Sequence, residues 1–421
     1  MTATLAAPPA STATPAHRDG NVRRWLAAYT SSMLGDNIYY IALSWAVVRI
    51  GTPAQVGLVM SASALPRAVL MLGGGVVADR FGPRRVVIGS DAVRCAAVLA
   101  VAALLFLTRP ALWPLALLAL VFGAVDAVFV PAVGALPARL TAQDQLGRVQ
   151  GLRSLAIRFA AVVGAPLGGL GVATGGAPAA FALAGLLIAV SVPLLVSVRV
   201  RDLPADPADP ADPADTPKGT AWTDLKDGLR HIRGHRVLAP LMLAIALGDL
   251  GFVGPLNVGL TLLADQRGWG AAGMGWILAG FGTGAAAASL LLAVRGRLPR
   301  AGLVAGCAII AGSVAVGALA YAPTLPAAVG TAVLVGLLTG LSGVMCGALL
   351  QTGSDPAFLG RVTAVASLVG LGLTPLSMPF AAAAIGAWGL RPVYVVSAAV
   401  CGLGGVVALA VRALRTAELP R

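Results

Sequence analysis

The chain has 421 residues, of which 58% are hydrophobic and 11% charged, with a mean hydropathy of +0.87. No water-soluble domain of this size needs so much apolar surface, and recurring apolar runs of about 20 residues are the mark of membrane spans. The net charge of +13 is no nucleic-acid footprint: of 30 Lys and Arg, 23 fall in tails, loops and span ends on one side, 4 in the loops and span ends opposite (Arg49, Arg109, Arg267, Arg391) and 3 deeper inside spans. That bias is the orientation signal of a polytopic membrane protein with both termini in the cytoplasm.

Residues 1–22 are rich in Ala, Thr and Pro without an apolar run, which predicts a disordered cytoplasmic tail rather than a cleaved signal. Twelve spans are predicted at 25–48, 54–78, 86–107, 112–136, 150–173, 177–198, 237–263, 271–294, 301–321, 325–350, 361–385 and 389–413. They form two six-helix bundles, 23–198 and 237–413, joined by a cytoplasmic linker over 199–236 and followed by a short tail, 414–421. In the linker, Ala-Asp-Pro triplets from Ala205 to about Pro217 favour an extended, solvated spacer. Beyond it, Trp222, Leu225, Leu229 and Ile232 line one face of a basic helix suited to the anionic leaflet.

The bundles are repeats of one another. Leu34-Gly35-Asp36 recurs as Leu247-Gly248-Asp249, and Leu146-Gly147-Arg148-Val149 as Leu359-Gly360-Arg361-Val362, both at an offset of 213 residues. Two matches at one offset, in spans 1/7 and 5/11, indicate parallel repeats about an axis along the membrane normal.

Span 2 ends in Gly73-Gly74-Gly75-Val76-Val77-Ala78-Asp79-Arg80-Phe81-Gly82-Pro83-Arg84-Arg85. Three glycines permit close helix approach, and Gly82-Pro83 reverses the chain. The spacing Gly75, Asp79, Arg80, Gly82, Arg84, Arg85 resembles the loop 2–3 signature of the major facilitator superfamily, with Pro83 where a basic residue is usual. Asp91-Ala92-Val93-Arg94, Phe129-Val130-Pro131-Ala132 and Leu349-Leu350-Gln351-Thr352 resemble its drug and siderophore exporter branch. In span 5, Gly164, Pro166, Gly168 and Gly169 resemble that branch's antiporter signature, with the proline one residue late. The resemblance implies an all-α membrane fold of twelve helices, a central cavity lined by spans 1, 4, 7 and 10, and a conformational latch between Asp79 and the start of span 11 near Gly360.

Seven charged residues lie more than one helical turn inside spans: Asp36, Arg67, Asp91, Arg94, Asp126, Arg158 and Asp249. Each is costly in lipid and therefore a functional candidate. Asp36, Arg67, Asp126 and Asp249 are 12–14 residues into their spans, which at about 1.5 Å per residue is near mid-bilayer. Asp36 is the first candidate for a proton-carrying carboxylate, with Tyr39, Tyr40, Leu43 and Val47 as an amphipathic wall for a guest. A fixed ion pair of Asp36 with Arg67 or Arg158 is the structural alternative. Asp126, flanked by Phe122, Phe129 and Val130, is second. Asp249 is third, and repeat symmetry alone would also account for it. Asp91 and Arg94, at i and i+3, read as an internal pair bracing loop 2–3. Arg158 either neutralises Asp36 or holds an anionic substrate.

The four cysteines lie singly in spans, and His231 and His235 lack further ligands, so neither a disulfide nor a metal site follows. No phosphate-binding Gly-x-x-x-x-Gly-Lys-Ser/Thr loop occurs, and no cofactor is expected. The expected function is export of amphipathic organic compounds from the plasma membrane by proton antiport, without enzymatic chemistry. Its partners are the cargo, protons and lipid, not nucleic acid, and a monomer suffices. Proton-coupled uptake by the same fold and a non-transporting receptor are the alternatives.

Overall fold

The computed structural model describes residues 18–108, 111–141, 145–200, 221–295, 300–355 and 358–418. The N-terminal tail to residue 17 and the Ala-Asp-Pro run lie outside the described residues.

Helices account for nearly the whole of the described chain: α1 (Gly20–Ile50), α2 (Pro53–Phe81), α3 (Pro83–Leu107), α4 (Leu112–Leu140), α5 (Leu146–Val196), α6 (Ala221–Gly234), α7 (Leu238–Gly254), α8 (Leu260–Gln266), α9 (Gly270–Arg295), α10 (Ala301–Leu319), α11 (Leu325–Thr352), α12 (Leu359–Trp388), α13 (Leu390–Ala410) and α14 (Arg412–Arg415). Among the described residues, nine helical stretches are long and apolar enough to cross a membrane, which makes this a multi-pass membrane protein. One of the nine, α5, is 51 residues long, about 76 Å if straight. It is broken at Gly176 (φ 73°), and Gly171 on one arm faces Ala180 on the other, so it is a hairpin of two spans. α1 and α2, at 31 and 29 residues, are also long enough to cross.

Local chemistry explains where the helices start and bend. Asp19 accepts from the Asn21 amide and starts α1 ahead of the apolar run. Thr52 and Gln55 cap α2 reciprocally, with Pro53 at the first helical position. Between α2 and α3, Gly82 has φ 83°, a conformation that glycine alone takes without strain. Arg84 just beyond it donates to the carbonyls of Leu195 and Val196, capping the end of α5. α7 runs into α8 through one π-helical turn, Pro255–Gly259, because Pro255 lacks an N–H. The buried Tyr394 hydroxyl donates to the Pro255 carbonyl at 3.0 Å.

The repeat is visible in the packing. A Cβ on Gly123 of α4 would stand 2.1 Å from the Ser63 carbonyl oxygen of α2, and one on Gly336 of α11 would stand 2.0 Å from that of Phe281 of α9. The two glycines are 213 residues apart, the offset of the sequence repeat.

The buried apolar side chains fall into three clusters. One gathers the ends of α1, α3, α10 and α12 and the starts of α2, α4, α9, α11 and α13, from both halves. A second holds only N-terminal-half residues, such as Trp25, Val133 and Leu140. The third is of the C-terminal half, with Leu238, Leu349 and Leu414. The halves thus share one core on the side away from the termini and have separate cores on the terminal side. The close approaches between halves agree: Gly57 on Met378 and Ala382, Gly169 on Ala271, Gly275 on Ala165 and Gly282 on Val162. Arg49 also pairs with Asp265 at 3.8 Å. Among the described residues the halves are zipped from mid-depth to the far face, and their buried cores are separate towards the terminal face.

One expectation changes. Of the three glycines ending span 2, only Gly74 meets a neighbouring backbone, at Ala127; Gly73 and Gly75 face open space. The linker helix α6 packs one side on protein. Gly228 lies against the Arg361 carbonyl, Ile232 is 3% exposed, and His231 stacks on Phe358 at 4.5 Å. Leu229, on the apolar face predicted for the leaflet, is 45% exposed, and the Trp222 and Leu225 side chains lie outside the described residues.

Candidate functional site

Arg94, on α3, organises the N-terminal half. Its side chain is fully buried, and Nη1 donates to Asp36 Oδ2 at 2.8 Å and Asp126 Oδ1 at 3.4 Å. Nη2 donates to Ser32 Oγ at 3.1 Å and to Asp91. Asp91 is held in turn by the hydroxyls of Ser32 and Ser191. The guanidinium also lies over the Phe129 ring, 3.9 Å from its centroid. One buried cation thereby serves three carboxylates from α1, α3 and α4.

The internal pair Asp91–Arg94 is present, but its expected role as a local brace is too narrow. An arginine near the terminal end of a span reaches deep because its stem is long, and it finds Asp36 and Asp126 there. The fixed partner of Asp36 is therefore Arg94, not Arg67 or Arg158. Arg67 stands 3.9 Å from Asp126 Oδ2. Asp36 Oδ1 is buried without a hydrogen-bond partner among the described residues.

The wall expected beside Asp36 is also redistributed. Tyr39, Leu43 and Val47 are fully buried, with Tyr39 stacked on Phe122 at 3.7 Å. They follow Asp36 at helical spacing and so point with it into the N-terminal half. Asn37, Tyr40, Ile41 and Ser44 point the other way, into a central cavity of about 330 Å³. Arg158, Met274, Asn257 and Phe281 complete much of that wall. Neither Asp36 nor Asp126 lines it. Tyr40 bridges the two environments: its ring borders the cavity and its hydroxyl donates to Asp126 Oδ2 over a long 3.4 Å. Arg158 faces the cavity and makes no ion pair among the described residues.

Asp249 lies elsewhere. It lines a second cavity of about 340 Å³ inside the C-terminal half, with Phe252, Phe281, Thr339, Gly343 and Cys346. Phe281 and Ala285 border both cavities, so the two adjoin.

The motif residues are spread over interfaces. Gly164 and Gly168 let α5 approach Asn37 and Ile38 of α1, while Gly169 meets α9 across the halves. Pro166 is inside the same helix arm. Gly75 and Arg80 lie in the last turns of α2, Arg85 opens α3, and Gly360 is in the first turn of α12. The Asp79 side chain lies outside the description. Sequence reading missed Ser32 and Ser191 as partners of Asp91; Ser32 stands four residues before Asp36, on the same helix face, which is a signal the spacing contains.

A family model described as Major Facilitator Superfamily matches residues 25–369. The multidrug efflux pump Tap of Mycobacterium tuberculosis is 26% identical over 415 residues, covering 94% of each chain. The enterobactin exporter EntS of Escherichia coli is 27% identical over 350 residues and 80% of each chain. Among solved structures, a mutant form of the nucleoside transporter NupG superposes with a TM-score of 0.71 at 11% identity, over 93% of this chain and all of that one. A bacterial homologue of the lysosomal transporter Spinster, inward-facing and occupied, gives 0.70 at 14% identity, over 96% and 98%. The helical architecture, the repeat and the matched length agree, and the chain belongs to the major facilitator superfamily, a family of membrane transporters.

Proposed function

We propose that this protein exports amphipathic organic compounds across the plasma membrane by proton antiport, through alternating access of the central cavity. The reading takes the chain as twelve spans in two six-helix bundles, α5 supplying two, with both termini in the cytoplasm and a monomer as the working unit. On that orientation the terminal face is cytoplasmic, and the separate cores on that face correspond to an inward-facing state. The observation that carries proton coupling is the sharing of Arg94 by Asp36, Asp91 and Asp126. With Arg67 counted, three carboxylates face two guanidiniums, an excess of one negative charge when all are ionised. Excess charge in a low-dielectric interior is expensive, and one proton removes it. Tyr40 and Asp126 supply a route between that group and the cavity. Cargo entering the cavity and a proton entering the carboxylates then bias the same two-state rocking in opposite senses. Mostly apolar walls with a few polar groups favour amphipathic cargo, and the two exporters similar to this chain support the outward direction.

In this reading the turn at Gly82 and the Asp79 carboxylate form the latch, with Asp79 reaching the N-terminus of α12 near Gly360 when the cytoplasmic side closes. The test is reconstitution with an imposed pH gradient. Asp36→Asn and Asp126→Asn should each abolish gradient-driven cargo movement while exchange without a gradient persists. Either variant driving transport as fast as the unaltered protein would refute coupling through these carboxylates.

A further inference from the structure

The two halves treat their repeated carboxylate differently. In the N-terminal half, Asp36 of α1 and Asp126 of α4 are joined by the buried Arg94. At the same offset of 213, the C-terminal half has Asp249 in α7 and Thr339 in α11, and both line the second cavity. Among the described residues no arginine or lysine borders that cavity, and Asp249 makes no ion pair or hydrogen bond. Where one half places a guanidinium, the other holds open space beside a carboxylate.

The cavity walls indicate what would fill that space. They are largely apolar, with Phe252 and Phe281 in a tilted pair at 5.8 Å. The Thr339 and Ser342 hydroxyls donate to carbonyls of their own helix, at Val335 and Thr339. Asp249 is thus the one acidic side chain, among the described residues, facing an aromatic and aliphatic pocket. An unpaired charge at that depth calls for a counter-charge, and aromatic faces attract a desolvated cation. Because Phe281 and Ala285 border the central cavity too, a cargo lying there can place one end beside Asp249.

We propose that the cavity within the C-terminal half is a subsite for the cationic head of an amphipathic cargo, with Asp249 as its counter-ion and Phe252 and Phe281 as its walls. The cation takes the place that Arg94 fills in the other half. This subsite rests on the transport reading for its connection to a cargo, but its test does not require transport.

Tetraphenylphosphonium is a suitable probe, and equilibrium dialysis against purified protein in lipid nanodiscs measures it without any gradient. The unaltered protein should bind it, and Asp249→Asn should weaken binding by about tenfold or more, whereas Asp249→Glu stays within about threefold. A second variant leaves the carboxylate in place: a Cβ on Gly343, in the cavity wall, meets nothing within 4 Å, so Gly343→Leu adds bulk at the pocket and should also weaken binding. Absence of binding by the unaltered protein overturns the subsite. So does an Asp249→Asn or folded Gly343→Leu protein that binds as well as the unaltered one, the outcome expected if Asp249 carries only a proton. A chain that binds the cation through Asp249 yet moves no cargo under a pH gradient sinks proton antiport and leaves the subsite standing. A chain that exports but whose cation binding ignores Asp249 does the reverse.

Discussion

Replacing Arg94 with leucine removes the positive centre of the N-terminal half. At the observed separations, 2.8 Å to Asp36 and 3.4 Å to Asp126, Coulomb's law with an effective dielectric constant of about 20 gives roughly 6 and 5 kcal/mol before desolvation is charged against them. Much of that is offset because leucine, unlike arginine, carries no charge to strip of water. Breaking a buried pair on one side nevertheless typically costs about 3–5 kcal/mol, because the orphaned carboxylates remain. We expect a loss in that range for Arg94→Leu, read by reversible unfolding in mixed micelles followed by circular dichroism. A double-mutant cycle sharpens the reasoning. Asp36→Asn removes one of the orphaned charges, so its coupling to Arg94→Leu should be about 1–3 kcal/mol, whereas Asp249→Asn, in the other half, should add to it within about 0.5 kcal/mol. A loss under about 1 kcal/mol for Arg94→Leu, or equal couplings for Asp36 and Asp249, would refute the view that Arg94 holds the N-terminal carboxylates together.

Glycine at a close crossing should behave unlike glycine beside open space. Gly123→Ala drives a methyl to 2.1 Å from the Ser63 carbonyl oxygen and should lower the melting temperature in detergent by several degrees, while Gly343→Ala, with nothing in reach, should leave it unchanged. The far-face zipper predicts that its close packing holds the halves together there. At Gly57 a Cβ would stand 2.4 Å from that of Ala382, so Gly57→Val should pry the halves apart at that crossing and slow cargo movement severalfold in reconstituted vesicles; transport undiminished would mean the halves do not depend on that contact. For α6, Ile232→Ala should cost about 2–4 kcal/mol of stability and Leu229→Ala almost nothing, since Ile232 is buried and Leu229 is 45% exposed; equal effects would put the helix off the protein.

The sequence by itself determined the membrane class and the offset of the repeat, because length, apolar runs and a fixed offset are one-dimensional quantities. The Gly82-Pro83 turn belongs with these: its φ of 83° is a local need that a glycine answers. Gly123 and Gly336 carry the repeat offset in the sequence, but that they meet backbone at the same place in each half is a fact of packing. Which charges face one another was decided only in three dimensions. Arg94 is visibly an intramembrane charge in the sequence, yet its partners Asp36 and Asp126 are 58 and 32 residues away, on other helices. Spacing along one helix could name its neighbour Asp91 and nothing further. The same limit misassigned Tyr39 to the cavity wall: periodicity tells which residues share a face, but not what that face meets. A helix wheel has no preferred rotation until its neighbours are packed, and the rotation of α1 alone sends Asp36 towards Arg94 and Tyr40 towards the cavity.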